Sequence, residues 1–508
     1  MNRRTFVRTT SCAIALAATP VTLSAAELPT PSASKLPRWR GFNLLEKFTQ
    51  QRNGNPPFRE DDFAMIAEFG FNFARLPMSY LCWTDPNDWT KLSREEELKH
   101  IDQAVEMGRK HGVHVNLNFH RGPGYCVNPP KEPLDLWTDE KALDVCAQHW
   151  GAFAKRYKGI PNSQVSFDLL NEPPDIKEEV YARVVRRLVA AIRAEDPSRL
   201  VIADALKWGN KPVMSLADLG VAQSTRGYAP MEISHFRASW VDKGNFPSPP
   251  QWPRLHVVGG TLAGPGKPKE SHAIVIDGPF RNETALRIRV GVVSSASTLA
   301  VDADGKRVFD KEFKPGPGEG EWKKADFKAE WNIYQNLYDR DYTATIPAGA
   351  KQIKIFVPKG DWLQITELGF KLASASREDV VTVKTGWEEK PNPFRYAPGE
   401  NGGPFIGLSG HNAEWLWQTQ IEPFKKLEAL GVGVHVGEWG PFNKTPHDVA
   451  LRWMEDCLRN WQKAGWGWAM WNFRGGFGPL DSTRPDVAYE DYRGRKLDRK
   501  MLVLLQKY

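Results

Sequence analysis

Eight times along this chain a short apolar run, rich in β-branched and aromatic residues, ends in a polar residue at a turn. Most of the intervals are filled by amphipathic helical stretches. The runs are 39–45 (WRGFNLL), 71–77 (FNFARLP), 114–120 (HVNLNFH), 165–171 (VSFDLLN), 199–206 (RLVIADAL), 231–236 (MEISHF), 432–439 (VGVHVGEW) and 466–473 (WGWAMWNF). Helical periodicity falls at 60–69, 95–111, 139–157, 177–195, 416–431 and 449–465. A strand apolar on both faces must be covered on both faces, and a helix after each strand does this. Eight such units predict an α/β fold, a (β/α)8 barrel of the TIM type.

The repeat is broken once, between the sixth and seventh runs. From about Arg254 to Leu372 the pattern alternates every two residues, with Gly, Pro and Asp turns and no helical period. A segment of this texture predicts an all-β sandwich inserted into the barrel. Proline-rich borders on both sides, FPSPPQWPR and WEEKPNPF, suit domain boundaries. The expected organisation is therefore a barrel of 38–253 plus 384–508, with 254–372 as the insert. Trp322, Trp331 and Trp362 lie in the insert. They read either as a sugar-binding platform or as core and edge packing of a small sandwich.

The chemistry of such barrels sits just past the C-terminal ends of the strands. Those ends carry Arg75, His120, Asn171 with Glu172, His235, Glu438 and Trp471. Glu172 and Glu438 are two carboxyls on different strands of one barrel. Glycoside hydrolysis needs such a pair, one as acid/base and one as nucleophile. Any one of these residues alone reads as readily as a salt-bridged arginine, a structural histidine or barrel filler. Their recurrence in one register is what points to a site.

On those residues the chain resembles the glycoside hydrolase family 5 cellulase type. The matching elements are Arg75 in FARLP, His120 in LNFHRGPGY, Asn171-Glu172-Pro173, His235 in ISHF, Glu438 in VGEWG and Trp471 in AMWNF. The resemblance implies that Glu172 is the acid/base and Glu438 the nucleophile. Arg75, Asn171, His120 and His235 would then orient the pair and bind sugar, with Trp471 under the ring. It implies a retaining β-glycosidase, most readily on β-1,4-glucan. β-Mannan, β-1,3-glucan and short glycosides attacked by an exo-acting enzyme are the alternatives. No cofactor and no metal are implied. The family usually has a tyrosine two residues after the strand-six histidine, and Arg237 stands there instead. Either Arg237 lies beside Glu438 and holds it ionised, or it points elsewhere and Tyr228 or Tyr125 supplies the hydroxyl.

Two other classes compete. His120, Glu172, His235 and Glu438 are ligand types for a metal-dependent barrel enzyme, but no closely spaced ligand pair accompanies them. A non-catalytic carbohydrate-binding barrel is the other, and the presence of both carboxyls argues against it. The net charge of +7 falls to +4 without the three arginines of the first 26 residues, too weak and scattered for nucleic acid. Twenty tryptophans suit sugar faces as well as a core.

Residues 1–26 read as an export signal. Arg3-Arg4 precede an apolar stretch and the small residues Ser24-Ala25-Ala26, a pattern similar to bacterial twin-arginine signals. The expected location is periplasmic or extracellular, the expected partner a polysaccharide or oligosaccharide, and the expected state a monomer without a membrane span. Cys82, Cys126, Cys146 and Cys457 have no metal-site spacing. Cys82 and Cys126 both follow barrel strands, so a bridge between them and buried free thiols are both open.

Overall fold

The computed structural model describes residues 28–49, 55–241, 250–267, 272–387, 389–400 and 403–508. The expected export signal lies outside the described residues. Eight parallel strands close into a barrel: Arg40–Asn43, Phe73–Ser79, His114–Gly122, Val165–Asp168, Val201–Asp204, Ala222–Gly227, Val434–Trp439 and Gly467–Met470. Each pairs with the next in chain order, and the eighth pairs with the first.

Seven of these strands fall where the sequence puts them; the sixth does not. The run 231–236 begins as a short helix, Met231–Ser234, and the sixth strand is Ala222–Gly227. The reason is chemical. Gln223, Ser224, Thr225 and Arg226 are all buried, because the barrel surrounds this strand with hydrogen-bonding partners instead of hydrocarbon. Gln223 exchanges two hydrogen bonds with the backbone of Val213 (2.7 and 3.0 Å), and Thr225 donates to the Gly209 carbonyl at 2.8 Å.

The outer helices include Glu95–His111, Glu140–Arg156, Glu178–Glu195 and His447–Ala464. Their ends follow local rules. Asp139 accepts from the Ala142 amide at the start of the second, and Gly112 ends the first at φ 68, a left-handed position that suits a residue without Cβ. Their apolar faces cover the strands in one large core. The floor of the barrel is aromatic: Trp39 stacks on His114 at 3.9 Å and on Phe73 at 5.4 Å, and Phe73 packs on His435 at 4.7 Å. Side chains plug this end, so a pocket can open only at the other. Among the described residues no helix is long and apolar enough to cross a membrane.

Outside the barrel lies a second, twelve-stranded sheet with its own apolar cluster. Two long strands, Thr284–Ala303 and Gln352–Leu372, form its spine, and register shifts along their pairing bend them around that cluster. The sheet begins at Arg254 and runs past Leu372. Asp379–Val383, Phe394–Tyr396, Phe405–Ile406 and Ser409–His411 all pair into it. Those short strands flank prolines, which hides them in the sequence. Trp362 is buried, whereas Trp331 is exposed. Cys82, Cys126, Cys146 and Cys457 are all free thiols, so the Cys82–Cys126 bridge is not formed.

Candidate active site

Arg75 is the centre from which the site is built. It is the third residue of the second strand, points into the barrel and is fully buried. Its guanidinium donates to Asp168 Oδ2 (2.7 Å), Asn43 Oδ1 (3.0 Å), Glu438 Oε1 (2.6 Å) and Asn171 Oδ1 (2.9 Å). Residues of the first, fourth and seventh strands thus converge on one planar cation of the second, whose fork geometry suits several acceptors at once. Burial would lower the Arg75 pKa, but Asp168 and Glu438 outweigh it and hold the cation charged.

A second buried cation, Arg226 on the sixth strand, lies beside the first. It donates to Asp204 through two nitrogens, to Ser224 Oγ at 3.1 Å and to Asn171 Oδ1 at 2.9 Å. It also meets both glutamates, with Nε at 3.2 Å from Glu172 Oε1 and Nη2 at 3.5 Å from Glu438 Oε1. Arg226, Asp204 and Asp168 were not among the sequence candidates. A signal existed, since Asp168 and Asp204 each interrupt an apolar run, at VSFDLLN and RLVIADAL.

The two glutamates differ in their surroundings. Glu438 lies within the seventh strand and is buried, with Arg75 on Oε1 and the Tyr228 hydroxyl donating to Oε2 at 3.2 Å. Glu172 follows the fourth strand, its side chain 17% exposed, with only the longer contact to Arg226. Burial first, and the Glu438 charge second, raise the Glu172 carboxyl well above the usual carboxylate range. Asp168 is raised as well, by burial and then by Asp204. Four carboxyls share two guanidinium groups, so full ionisation would leave net negative charge in a buried cluster. The proton belongs on the worst-paired member, and that is Glu172.

The backbone at Glu172 is left-handed, with φ 51. This costs a glutamate about 1–2 kcal/mol, so the surroundings must hold it. Its amide donates to Asp204 Oδ2 at 2.8 Å and its carbonyl accepts from the Tyr125 hydroxyl at 2.5 Å. The Asn-Glu-Pro turn is thereby fixed to the end of the fifth strand and to the segment that follows the third.

Asn171 is fully buried, and its carbonyl oxygen accepts from both arginines. Two donors on one end fix the amide orientation. The Asn171 amide nitrogen has no partner and is left to donate. His120 packs between Phe48 (4.4 Å) and Trp471 (5.6 Å), and its Nε2 meets Asn128 Oδ1 at 2.7 Å. Burial pushes its imidazole down to about 3, so it is neutral. Trp471, half-buried, follows the eighth strand.

His235 stands apart from the carboxyl cluster. It follows the short helix and packs edge-on against Tyr228 at 4.8 Å, with Ser234 Oγ 2.9 Å from its Nδ1. Arg237 is exposed and lies over the Phe236 ring, away from Glu438. Of the readings left open for that position, Tyr228 supplies the hydroxyl, while Tyr125 is spent on the Glu172 backbone. The four residues of the metal reading do not converge, and no metal-ligand group of three or more His, Cys, Asp or Glu occurs among the described residues.

Residues 31–228 match the family model for cellulase, glycosyl hydrolase family 5. Endoglucanase C of Acetivibrio thermocellus is 28% identical over 188 residues, 36% of this chain and 54% of that protein. Cellodextrinase A of Ruminococcus flavefaciens is 24% identical over 195 residues, 36% of this chain and 55% of that protein. The chain thus spans about half the length of the curated relatives it matches. A crystal structure of a glycoside hydrolase superposes with a TM-score of 0.59 at 27% identity, covering 92% of this chain and 99% of that one.

Proposed function

For a chain whose residues 31–228 match the family model for cellulase, glycosyl hydrolase family 5, we propose hydrolysis of β-linked polysaccharide or oligosaccharide, β-1,4-glucan first, with retention of anomeric configuration. The observation that carries this reading is the asymmetry of Glu438 and Glu172 across Arg226. One is held by Arg75 and Tyr228, the other is weakly paired and raised above the usual range.

In this reading Glu438 attacks the anomeric carbon. Glu172 delivers its proton to the departing oxygen, and a covalent glycosyl-enzyme forms. Glu172, now ionised, takes a proton from water, which displaces Glu438. The first step removes negative charge from Glu438 and creates it on Glu172. Arg226 lies within reach of both, so the site's cations serve either side of the exchange. The free Asn171 amide is suited to a sugar 2-hydroxyl, a contact that strengthens in the oxocarbenium-like transition state. Trp471 offers an apolar face to the ring. Retention requires a carboxyl separation of about 5–5.5 Å in the working enzyme. Export through the segment around Arg3, Arg4 and Ala26 belongs to the same reading.

A panel of soluble β-glucans, β-mannans and short glycosides, followed by NMR of the newly formed anomeric centre, tests it. A β-product formed first is expected. An α-product would overturn the double displacement, and no turnover of any β-linked saccharide would overturn the function.

A further inference from the structure

The family pattern places a tyrosine two residues after the strand-six histidine. In the structure the tyrosine that reaches Glu438 is Tyr228, directly after the sixth strand, and two residues before it stands Arg226. An arginine thus occupies the place of a histidine, and the exchange changes the charge of the site. Burial leaves the imidazoles of His114, His120 and His435 neutral in this barrel. A histidine at 226 would meet the same penalty and offer a neutral donor. Arg226 is a cation instead: burial opposes its charge, and Asp204, Glu438 and Glu172 outweigh that.

Two features show that the site is fitted to this cation. Asp204, fully buried at the end of the fifth strand, pairs with it through two nitrogens and also accepts from the Glu172 amide at 2.8 Å. The counter-charge that a buried arginine needs is thus tied to one of the two glutamates the arginine meets. Space is reserved for the side chain as well. A Cβ on Gly437 would stand 2.9 Å from Arg226 Nη1, and one on Gly209 2.5 Å from its Cγ. The guanidinium is therefore fixed between Glu172 Oε1 (3.2 Å) and Glu438 Oε1 (3.5 Å).

We propose that Arg226 is the counter-ion that passes from Glu438 to Glu172 when the glycosyl-enzyme forms, and that its main effect falls on the second, hydrolytic step. The inference rests on the glycosidase reading above and adds the cation on which that second step depends. In the resting site Glu438 is served by Arg75 and Tyr228 as well as by Arg226. In the first step a Glu438 oxygen bonds to the anomeric carbon, the bond to the leaving oxygen breaks, and that oxygen takes the Glu172 proton. Glu438 is then a neutral ester, and the negative charge lies on Glu172. The charged groups facing Glu172 are Glu438, Arg226, Asp204 and Arg75, and of these it is Arg226 that contacts its carboxyl. In the second step water bonds to the anomeric carbon and gives a proton to Glu172, while the ester bond breaks and its electron pair returns to Glu438. Glu172 must be ionised to take that proton, and a cation in contact favours the ionised form.

The test compares wild type, Arg226→Met and Arg226→Lys on 2,4-dinitrophenyl β-cellobioside and β-mannobioside, whose leaving group needs no proton. In Arg226→Met kcat should fall by about tenfold or more and KM should fall with it, with a stoichiometric burst of dinitrophenolate, because the glycosyl-enzyme accumulates. Azide, an anion that needs no base, should restore kcat. Arg226→Lys keeps the charge and should recover most of kcat. Equal falls in kcat and kcat/KM without a burst, which a merely structural loss would give, overturn the proposal. Melting temperatures report folding. Should Arg226→Met unfold with Asp204 left unpaired, the double variant Arg226→Met/Asp204→Asn removes both partners together and is read in the same way. If the wild type hydrolyses no β-glycoside, the glycosidase reading falls separately, and a carboxyl 13C NMR titration, with Glu172→Gln to assign the signal, judges Arg226. An upward shift of the Glu172 titration by about one pH unit or more in Arg226→Met, absent in Arg226→Lys, upholds Arg226 as its counter-ion, and an unshifted titration overturns it.

Discussion

Arg226 touches both candidate carboxylates, and the sequence gives no hint of it. An arginine among Gln, Ser and Thr reads as a solvated loop, because a buried ion network and a wet surface have the same composition. Glu172, Glu438, Asn171 and Arg75 were legible because each interrupts or ends an apolar run. Asp168 and Asp204 do the same inside VSFDLLN and RLVIADAL, short of the run ends at which site residues are sought. Three outcomes follow at this scale. Glu438→Ala should abolish turnover of every substrate, since the first step requires it. Glu172→Ala should lower turnover of unactivated saccharides by about 10²–10⁴-fold, the usual worth of general acid–base catalysis. It should retain the first step on 2,4-dinitrophenyl glycosides, and added azide should then yield the β-glycosyl azide, detectable by NMR. An α-azide product would mean that Glu438 is not the nucleophile. Tyr228→Phe removes one hydrogen bond to a carboxylate, so kcat/KM should fall by about tenfold to a hundredfold. A profile within twofold of wild type would leave that hydroxyl without a catalytic part. Glu172 must act as an acid, and its carboxyl is raised. Activity should therefore persist to higher pH than an ordinary carboxyl permits and be lost as pH rises through the shifted value. That alkaline limb should vanish in Glu172→Gln with an activated leaving group.

The sixth strand is the instructive failure among the elements. Apolar periodicity found seven strands because each carries apolar residues that join the core beside the polar ones facing the site. The sixth has polar residues satisfied from within the barrel, and the apolar run 231–236 beside it drew the assignment downstream. His235 was consequently expected at a strand end, whereas it packs behind Tyr228. A different signal marks the true strand's end. Gly227 is packed so closely that an added Cβ would stand 2.6 Å from Trp461 and 2.8 Å from Trp439 Cβ. Both rings belong to the covered core and have little room to yield. Gly227→Ala should destabilise the fold by about 1–3 kcal/mol, the usual cost of overpacking. Urea unfolding measures this, and a neutral result would mean that the sixth strand or the final strand–helix packing differs from that described. The expected border at Leu372 missed the later strands for a related reason, since two- and three-residue strands carry too little periodicity to be read.

At the scale of the molecule, the barrel was legible because its rule is repetitive, and the second sheet because it breaks that rule. The way the interior divides into an aromatic floor and an ionic rim was not. The floor includes His114 and His435, both buried against Trp39 and Phe73, and burial pushes each imidazole down to about 3. A histidine held neutral in the folded state has a definite sign in pH-dependent stability. In the unfolded chain it takes up a proton near pH 6.5, whereas the folded protein refuses that proton until the pH nears 3. Between those values the unfolded state binds more protons, so stability is lost as pH falls, by up to about 1.4 kcal/mol per pH unit for each such histidine. The raised carboxyls Glu46, Asp62, Asp168 and Glu172 act in the opposite direction. Folding favours their protonated forms, so their contribution weakens as pH rises above the unfolded carboxylate range. The absolute profile is the sum of the two sets, and a difference between variants isolates one. His435→Gln removes one titrating imidazole from the floor. The unfolding free energy of that variant should depend less steeply on pH between about 6 and 4, by close to one proton's worth, or about 1.4 kcal/mol per unit. An unchanged slope would mean that His435 is protonated in the folded barrel, which its stacking among Trp39 and Phe73 does not accommodate.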